Sequence, residues 1–265
     1  MKPTYSICMT HYNNASTLKR SLKSILSQTG PDFEIVVVDN KSNDGSENIL
    51  RDYSDRGVLK LISARCSRGQ GRQIAFENSS GDYVIANLDF DDVFKPRLKE
   101  LLGNYLEKSE GNLLWAHSID YRGFWGGESF TIAPRHLLSR LGGWRDLQFG
   151  EDWELARRAA RAGMYRWTYF QLLEQTNAHV ERKTFIGRLR FRYVRYRDLL
   201  RCGRRVFKDG YHVSVSQRVA YLLSRFALPL YESYYEENMS TFDPSSTDCY
   251  VDFGECPSCK QSSDR

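Results

Sequence analysis

The run Ile35-Val36-Val37-Val38 is unbroken, wholly β-branched, and stops at Asp39. A strand that is apolar at every position buries both faces, which confines it to a sheet covered by helices on both sides. The neighbouring segments repeat the arrangement. Tyr5-Ser6-Ile7-Cys8-Met9 reads as a strand, and Ser16-Thr17-Leu18 opens a helical pattern through Leu22, Ile25 and Leu26. Beyond Asp39, the polar stretch Lys41 to Ser46 leads into another helix. A third strand is expected at Val58 to Ile62, a helix around Gln70 to Asn78, and a fourth strand at Tyr83 to Leu88. Strands and helices alternating at this spacing imply a mostly parallel sheet.

The fourth strand runs into Asp89-Phe90-Asp91-Asp92. Ligands of open α/β sheets bind outside the C-terminal ends of the strands, and clustered carboxylates there suit a hard divalent ion that shares their charge with phosphate oxygens. Helix capping ahead of Lys95-Pro96 is the plainer use of an acid, but a cap employs one carboxylate rather than three.

Three ordered blocks carry a resemblance: Thr10-His11-Tyr12-Asn13-Asn14, then Val36 to Ser46, then Leu88-Asp89-Phe90-Asp91-Asp92. They resemble family 2 glycosyltransferases of the GT-A fold. A fourth block, Gly142-Gly143-Trp144-Arg145 with Phe149-Gly150-Glu151-Asp152-Trp153-Glu154-Leu155, is similar to the acceptor-side segment of that family. The likeness covers roughly residues 4 to 170, and the order of four blocks makes it more specific than any short motif alone.

The resemblance implies an α/β GT-A fold, a Rossmann-like, mixed, mostly parallel sheet flanked by helices; the segments beyond it are expected as a C-terminal helical extension. The resemblance also implies an inverting, metal-dependent hexosyl transfer from a nucleoside-diphosphate sugar, a UDP- or GDP-sugar, using Mg²⁺ or Mn²⁺. Thr10, Tyr12, Asn13 and Asp39 correspond to the nucleotide pocket, Asp39 accepting a hydrogen bond from the base. Asp89 and Asp91 match the Asp-x-Asp acids that meet ribose and metal, Asp91 being favoured as the direct ligand, and Asp92 orients them. Asp152 becomes the catalytic base that takes the acceptor's proton, Glu151 its catalytic neighbour that positions acceptor or loop, and Gly143 and Trp144 the acceptor or sugar contact. An acid at a helix start is also stabilised by the helix dipole whatever its function. His179 corresponds to a histidine that completes the metal or diphosphate site in some members.

The chain departs from the pattern at Ser67-Arg68-Gly69-Gln70-Gly71-Arg72-Gln73, where the family often carries a longer Gly-x-x-x-Ala-Arg-Asn segment. Arg72 takes the place of the family arginine toward the diphosphate. The same stretch mimics a dinucleotide fingerprint, Gly69-x-Gly71 with Asp89 about twenty residues on. Ile74 stands where the third glycine belongs, and two strand-helix pairs precede the stretch, which argues against a dehydrogenase. Two other readings remain open: a nucleotidyltransferase that makes nucleotide sugars, and a non-catalytic nucleotide-sugar binding module.

The 265 residues suffice for one large or two small domains. The expected division is a catalytic domain over 1–180, with a nucleotide half to about 92 and an acceptor half over 93–180. A basic amphipathic extension follows over 181–237, and a flexible tail over 238–265. Met1-Lys2-Pro3 runs straight into the first strand, and no apolar run reaches the roughly 18 residues of a membrane span, so the expected location is cytoplasmic. The cysteines are scattered and form no disulfide framework; Cys249, Cys256 and Cys259 in the tail are short of a four-ligand zinc set.

The formal charge of +5 is concentrated between Arg182 and Lys208, where Asp198 is the lone acid. Arg188, Arg190, Arg192, Arg195 and Arg197 interleave with Leu189, Phe191, Tyr193, Val194 and Tyr196, and an apolar stretch follows from Val219 to Tyr231. Such segments lie on anionic bilayers, or, for the apolar stretch, pack as a helix on the catalytic domain. No nucleic-acid motif accompanies the charge, so nucleic acid is not an expected partner. A peripheral position on the cytoplasmic membrane face would bring the site beside a polyprenyl- or dolichyl-phosphate-linked acceptor; a glycan is the other acceptor class.

Overall fold

The computed structural model describes residues 2–109, 112–118, 128–170, 172–175, 185–202 and 215–230. In chain order the elements are β1 (Tyr5–His11), α1 (Ala15–Leu26), β2 (Phe33–Asp39), α2 (Ser46–Asp55), β3 (Lys60–Ser63), α3 (Arg68–Glu77), β4 (Tyr83–Leu88) and β5 (Asp92–Phe94). They continue with α4 (Leu98–Ser109), β6 (Leu114–Ser118), β7 (Glu128–Pro134), α5 (Arg135–Leu141), α6 (Glu151–Arg161), β8 (Tyr165–Tyr169), β9 (Leu173–Gln175), α7 (Phe185–Arg201) and α8 (Val215–Ala227). Among the described residues, seven strands form one sheet in the order β3-β2-β1-β4-β7-β6-β8, and β5 pairs with β9 separately. The first four are parallel, β7 is antiparallel to both neighbours, and β6 and β8 are parallel.

The period of two along the central strands divides the core. Ile7 and Met9 of β1, with Ile35 and Val37 of β2, face Leu18, Leu22, Ile25 and Leu50. Cys8, Val36 and Val38 point the other way, onto Ala75, Phe76, Leu155 and Ala159. Both sets are buried, which is why β2 has to be apolar at every position. The chain leaves β1 toward β2 and β3, then returns to the other side of β1 as β4. That reversal opens a crevice at the C-terminal ends of β1 and β4.

The third strand begins at Lys60 rather than Val58 because Val58 closes the preceding helix. Its N–H donates to the Tyr53 carbonyl at 3.0 Å, that of Gly57 to Ser54 at 2.9 Å, and Gly57 has φ +69°. This double closure needs a left-handed residue, and glycine takes that conformation without a Cβ clash. At the other end of the chain α7 turns Tyr196, Leu199 and Cys202 inward, and Ser224 of α8 donates to the Tyr193 carbonyl at 2.9 Å. The tail beyond residue 230, with its three cysteines, lies outside the described residues.

Candidate active site

A cavity of about 240 Å³ sits in the crevice, walled by the strand-end loops of β1, β2 and β4 and by the start of α3. Thr10, Tyr12, Asn14 and Asn40 line one side; Ser67, Arg68, Asp89, Asp91 and Gln148 line the other. Of the residues expected to bind the nucleotide, Thr10, Tyr12 and Asp89 are in this lining.

Asp39 and Asn13 are not in that lining, and both brace loops. Both Asp39 carboxylate oxygens accept from Ser42, its hydroxyl at 2.6 Å and its N–H at 2.9 Å, and the side chain is fully buried. His11 lies against Asp39 at 3.9 Å, and burial lowers the imidazole pKa against the opposing pull of Asp39. Asn13, at φ +52°, donates its N–H to Ser42 Oγ at 3.0 Å and accepts the Asn43 N–H at 2.9 Å. These bonds tie the β1 and β2 loops together behind the cavity wall.

The acids at the end of β4 are aimed by a local irregularity. The β1–β4 register shifts between Ile7 and Met9, and Asn87 adopts φ +66°, a conformation asparagine tolerates. Its amide donates to Thr131 Oγ1 at 2.8 Å and accepts from Trp144 Nε1 at 3.2 Å, which fixes the bend. Asp89 to Asp92 then form a tight turn closed by the Asp92 N–H on the Asp89 carbonyl at 3.2 Å, with Phe90 buried as its anchor. Asp89 and Asp91 line the cavity; Asp92 begins β5 and is not among the lining residues.

Crowding shows in the proton affinities. Burial pushes the Asp92 carboxyl up to about 7, with Asp91 and Asp89 adding to the rise. Burial and Asp89 also raise Asp91. Hard carboxylate oxygens held against one another fit Mg²⁺ or Mn²⁺. Among the described residues no three of His, Cys, Asp and Glu form a ready-made metal site, so an ion at Asp89 and Asp91 would draw further ligands from phosphate and water. His179 lies outside the described residues.

Arg68 joins the two acidic motifs. Burial works against its charge, but Asp89, Glu151, Asp152 and Asp91 together outweigh burial and raise its pKa. Asp152 is half-buried in the first turn of α6, its Oδ1 accepting the Trp153 N–H at 2.7 Å. Close packing makes this possible: Gly69 presses on the 145–147 segment so tightly that a Cβ would lie 2.0 Å from the Arg145 carbonyl oxygen. The Gly69 N–H donates to the Leu147 carbonyl at 2.8 Å, and Ser67 Oγ to Asp146 at 2.5 Å.

Four more of the expected site residues lie outside the cavity lining. Arg72, expected toward the diphosphate, is buried one helical turn behind Arg68 and is paired with Glu151. Glu151 is thereby a buried partner of α3; burial raises its carboxyl pKa to about 7 with Arg72 opposing. Gly143 and Trp144, expected on the acceptor, are packed away from the cavity: Trp144 is in the second core and its N–H donates to Gln73 at 2.8 Å, while Gly143 leaves no room for a side chain beside Gln73. Arg68 and Gln148 are among the lining residues not expected as site residues from sequence, as are Asn14, Asn40 and Ser67.

Comparison with known proteins follows the same residues. A family model described as Glycosyl transferase family 2 matches residues 6–172. An uncharacterized glycosyltransferase of Methanocaldococcus jannaschii is 36% identical over 130 residues, 46% of this chain and 44% of that protein. The poly(ribitol-phosphate) beta-N-acetylglucosaminyltransferase TarP of Staphylococcus aureus is 30% identical over 116 residues, 41% of this chain and 35% of that protein. The matched segments thus span less than half the length of these curated relatives. Among solved structures, the mannosyltransferase PcManGT from Pyrobaculum calidifontis, in complex with GDP-Man and Mn²⁺, is similar with a TM-score of 0.57 at 21% identity, over 86% of this chain and 73% of that one. TarS of S. aureus, in complex with UDP-GlcNAc, gives 0.58 at 16% identity, over 84% of this chain and 73% of that one.

Proposed function

Because the chain belongs to glycosyl transferase family 2 and has the GT-A fold, we propose that it moves a hexose from a UDP- or GDP-sugar to a hydroxyl acceptor with inversion. The observation that carries this reading is Arg68 in one cavity lining with Asp89 and Asp91 and beside the start of α6, where Asp152 is one of the acids that raise its pKa. Nucleoside diphosphates need cationic and hydrogen-bonding partners, and acceptor hydroxyls need a base; this arrangement supplies both. The bound GDP-Man and UDP-GlcNAc of the structural neighbours support the donor class.

In this reading Thr10, Tyr12 and Asn40 border the nucleoside end, and Asp89 meets the ribose. Arg68 holds the diphosphate and offsets negative charge as the glycosidic bond breaks. Asp91, with Asp89, would hold Mg²⁺ or Mn²⁺, which when bound supplies Lewis acidity to the departing diphosphate. Asp152 takes the proton of the acceptor hydroxyl as its oxygen attacks the anomeric carbon from the opposite face. One displacement of this kind inverts the configuration. The nucleoside diphosphate leaves with the bonding electrons.

The acceptor is a glycan or a sugar on a polyprenyl or dolichyl phosphate, met at the cytoplasmic membrane face. No helix among the described residues is long and apolar enough to cross a membrane. Peripheral contact is supported by α8, where exposed Val219, Leu222, Leu223 and Phe226 form one stripe with Arg218 and Arg225 beside it. Exposed Arg188, Arg190 and Arg195 on α7 add cationic surface.

Screening nucleotide sugars with Mn²⁺ and analysing products tests the function. The expected product is a nucleoside diphosphate, released slowly by hydrolysis without acceptor and faster with one. Pyrophosphate instead would identify a nucleotidyltransferase, and tight binding without turnover of any donor would identify a binding module.

A further inference from the structure

Helix α7 lies outside the segment that matches the family model, yet it grips the loop between α5 and α6. Asp198 of α7 is fully buried. Its Oδ2 accepts the backbone N–H of Gln148 at 2.8 Å, while Oδ1 accepts from Arg197 Nε at 2.8 Å with Arg201 Nη1 at 3.6 Å. Arg201 in turn donates to the Asp146 carbonyl at 3.0 Å. The loop is therefore fastened at 146 and at 148 by neighbouring positions on one helix turn. Phe149 adds an edge-on contact to Phe191, with ring centres 5.0 Å apart.

A carboxylate loses much hydration on burial, and charge and hydrogen bonds have to replace the water. Here two guanidinia supply the charge, and the remaining oxygen is directed at a single backbone N–H. That N–H belongs to a cavity residue. Gln148 lines the crevice, and its Oε1 accepts the N–H of Arg68 at 3.2 Å. Two residues later Gly150, at φ +79°, caps α6, whose second residue is Asp152. A shift of Gln148 would move Arg68 and the start of α6 together.

We propose that Asp198 is a positioning residue: through Gln148 it sets Arg68 against the donor and the α6 N-terminus, with Asp152, against the acceptor. The inference rests on the reading of this cavity as the donor site. It makes α7 part of the working unit, which moves the domain boundary expected at residue 180 to the end of that helix.

Full-length Asp198→Ala and Asp198→Asn are compared with the unaltered chain, well below the melting temperature of each, by hydrogen exchange and by donor kinetics. The amide oxygen of Asn can still accept the Gln148 N–H; Ala cannot. Loss of exchange protection in Asp198→Ala is expected at residues 146–153 and not in β1 to β4. Transfer kcat should fall roughly 10- to 100-fold, the scale for a misplaced group, with donor KM within about threefold, and Asn should recover most of the loss. A purely structural role would reduce the folded fraction and leave kcat per folded molecule unchanged. Unaltered protection at 146–153, or unaltered kcat in Asp198→Ala, overturns the proposal. Absence of transfer by the unaltered chain with every donor counts against the functional reading instead, and the exchange pattern still decides whether Asp198 holds the loop.

Discussion

Arg72 and Glu151 form an ion pair closed off from solvent, joining the middle of α3 to the first residue of α6. It sits directly behind Arg68, which lines the cavity and lies 4.0 Å from Glu151. Removing one partner from such a pair leaves an uncompensated buried charge, whereas removing both does not.

Arg72→Met is therefore expected to destabilise the fold by about 3 kcal/mol, measured by urea denaturation. Arg72→Met with Glu151→Gln should be the more stable of the two variants. Loss of nucleoside-diphosphate affinity in folded Arg72→Met, with stability intact, would return Arg72 to the diphosphate role that its sequence position suggests.

Arg68 should behave in the opposite way. Its guanidinium is partly exposed and borders the cavity, so Arg68→Gln should leave the urea midpoint nearly unchanged and weaken nucleoside-diphosphate binding about tenfold or more, the scale of a lost charge-assisted bond. Calorimetric titration with UDP and GDP measures it. Unchanged affinity would detach Arg68 from the donor.

Asp152→Asn separates chemistry from binding. Donor affinity should stay near that of the unaltered chain while transfer falls by roughly 10²-fold or more. Near-normal transfer would leave Asp152 with the helix-dipole role alone, and a product that keeps the donor's anomeric configuration would refute the single displacement.

The membrane contact is read by vesicle sedimentation. Vesicles containing anionic lipid should bind the protein, with about 1 kcal/mol from each nearby arginine, and rising salt should weaken the binding. Charge reversal at Arg188, Arg190 and Arg195 should remove the salt-sensitive part. Polar substitution at Leu222, Leu223 and Phe226 should remove the part that resists salt. Arg197, expected on the same surface from its spacing, is instead turned to Asp198. No binding to anionic vesicles at low salt would favour a water-soluble acceptor.

Local pattern made much of this legible. The β2 run, the acids after β4 and the Glu-Asp pair opening α6 lie at positions that periodicity or motif order identifies without tertiary contacts. What the sequence hid depends on approach between distant segments. Arg68 and Arg72 are one turn apart on α3, so helical phase alone gives them similar directions; the meeting of Gly69 with the 145–147 carbonyls leaves Arg68 at the cavity and buries Arg72. The glycines at 69 and 71 were the available signal of that approach. Asp39 ends its strand as expected, yet Ser42 occupies both its oxygens. Nothing near Gln148 in sequence announces its bond to Asp198.

The most direct test of the account is titration of UDP and GDP into the purified chain with and without Mn²⁺, beside Asp91→Asn. The account predicts that one of the two nucleotides binds with metal, that chelation abolishes most of the affinity, and that Asp91→Asn abolishes this metal dependence while the protein stays folded by circular dichroism. Metal-dependent affinity unchanged in Asp91→Asn, or no binding of either nucleotide at millimolar concentration, would contradict the assignment of this cavity as a metal-assisted nucleotide-sugar site.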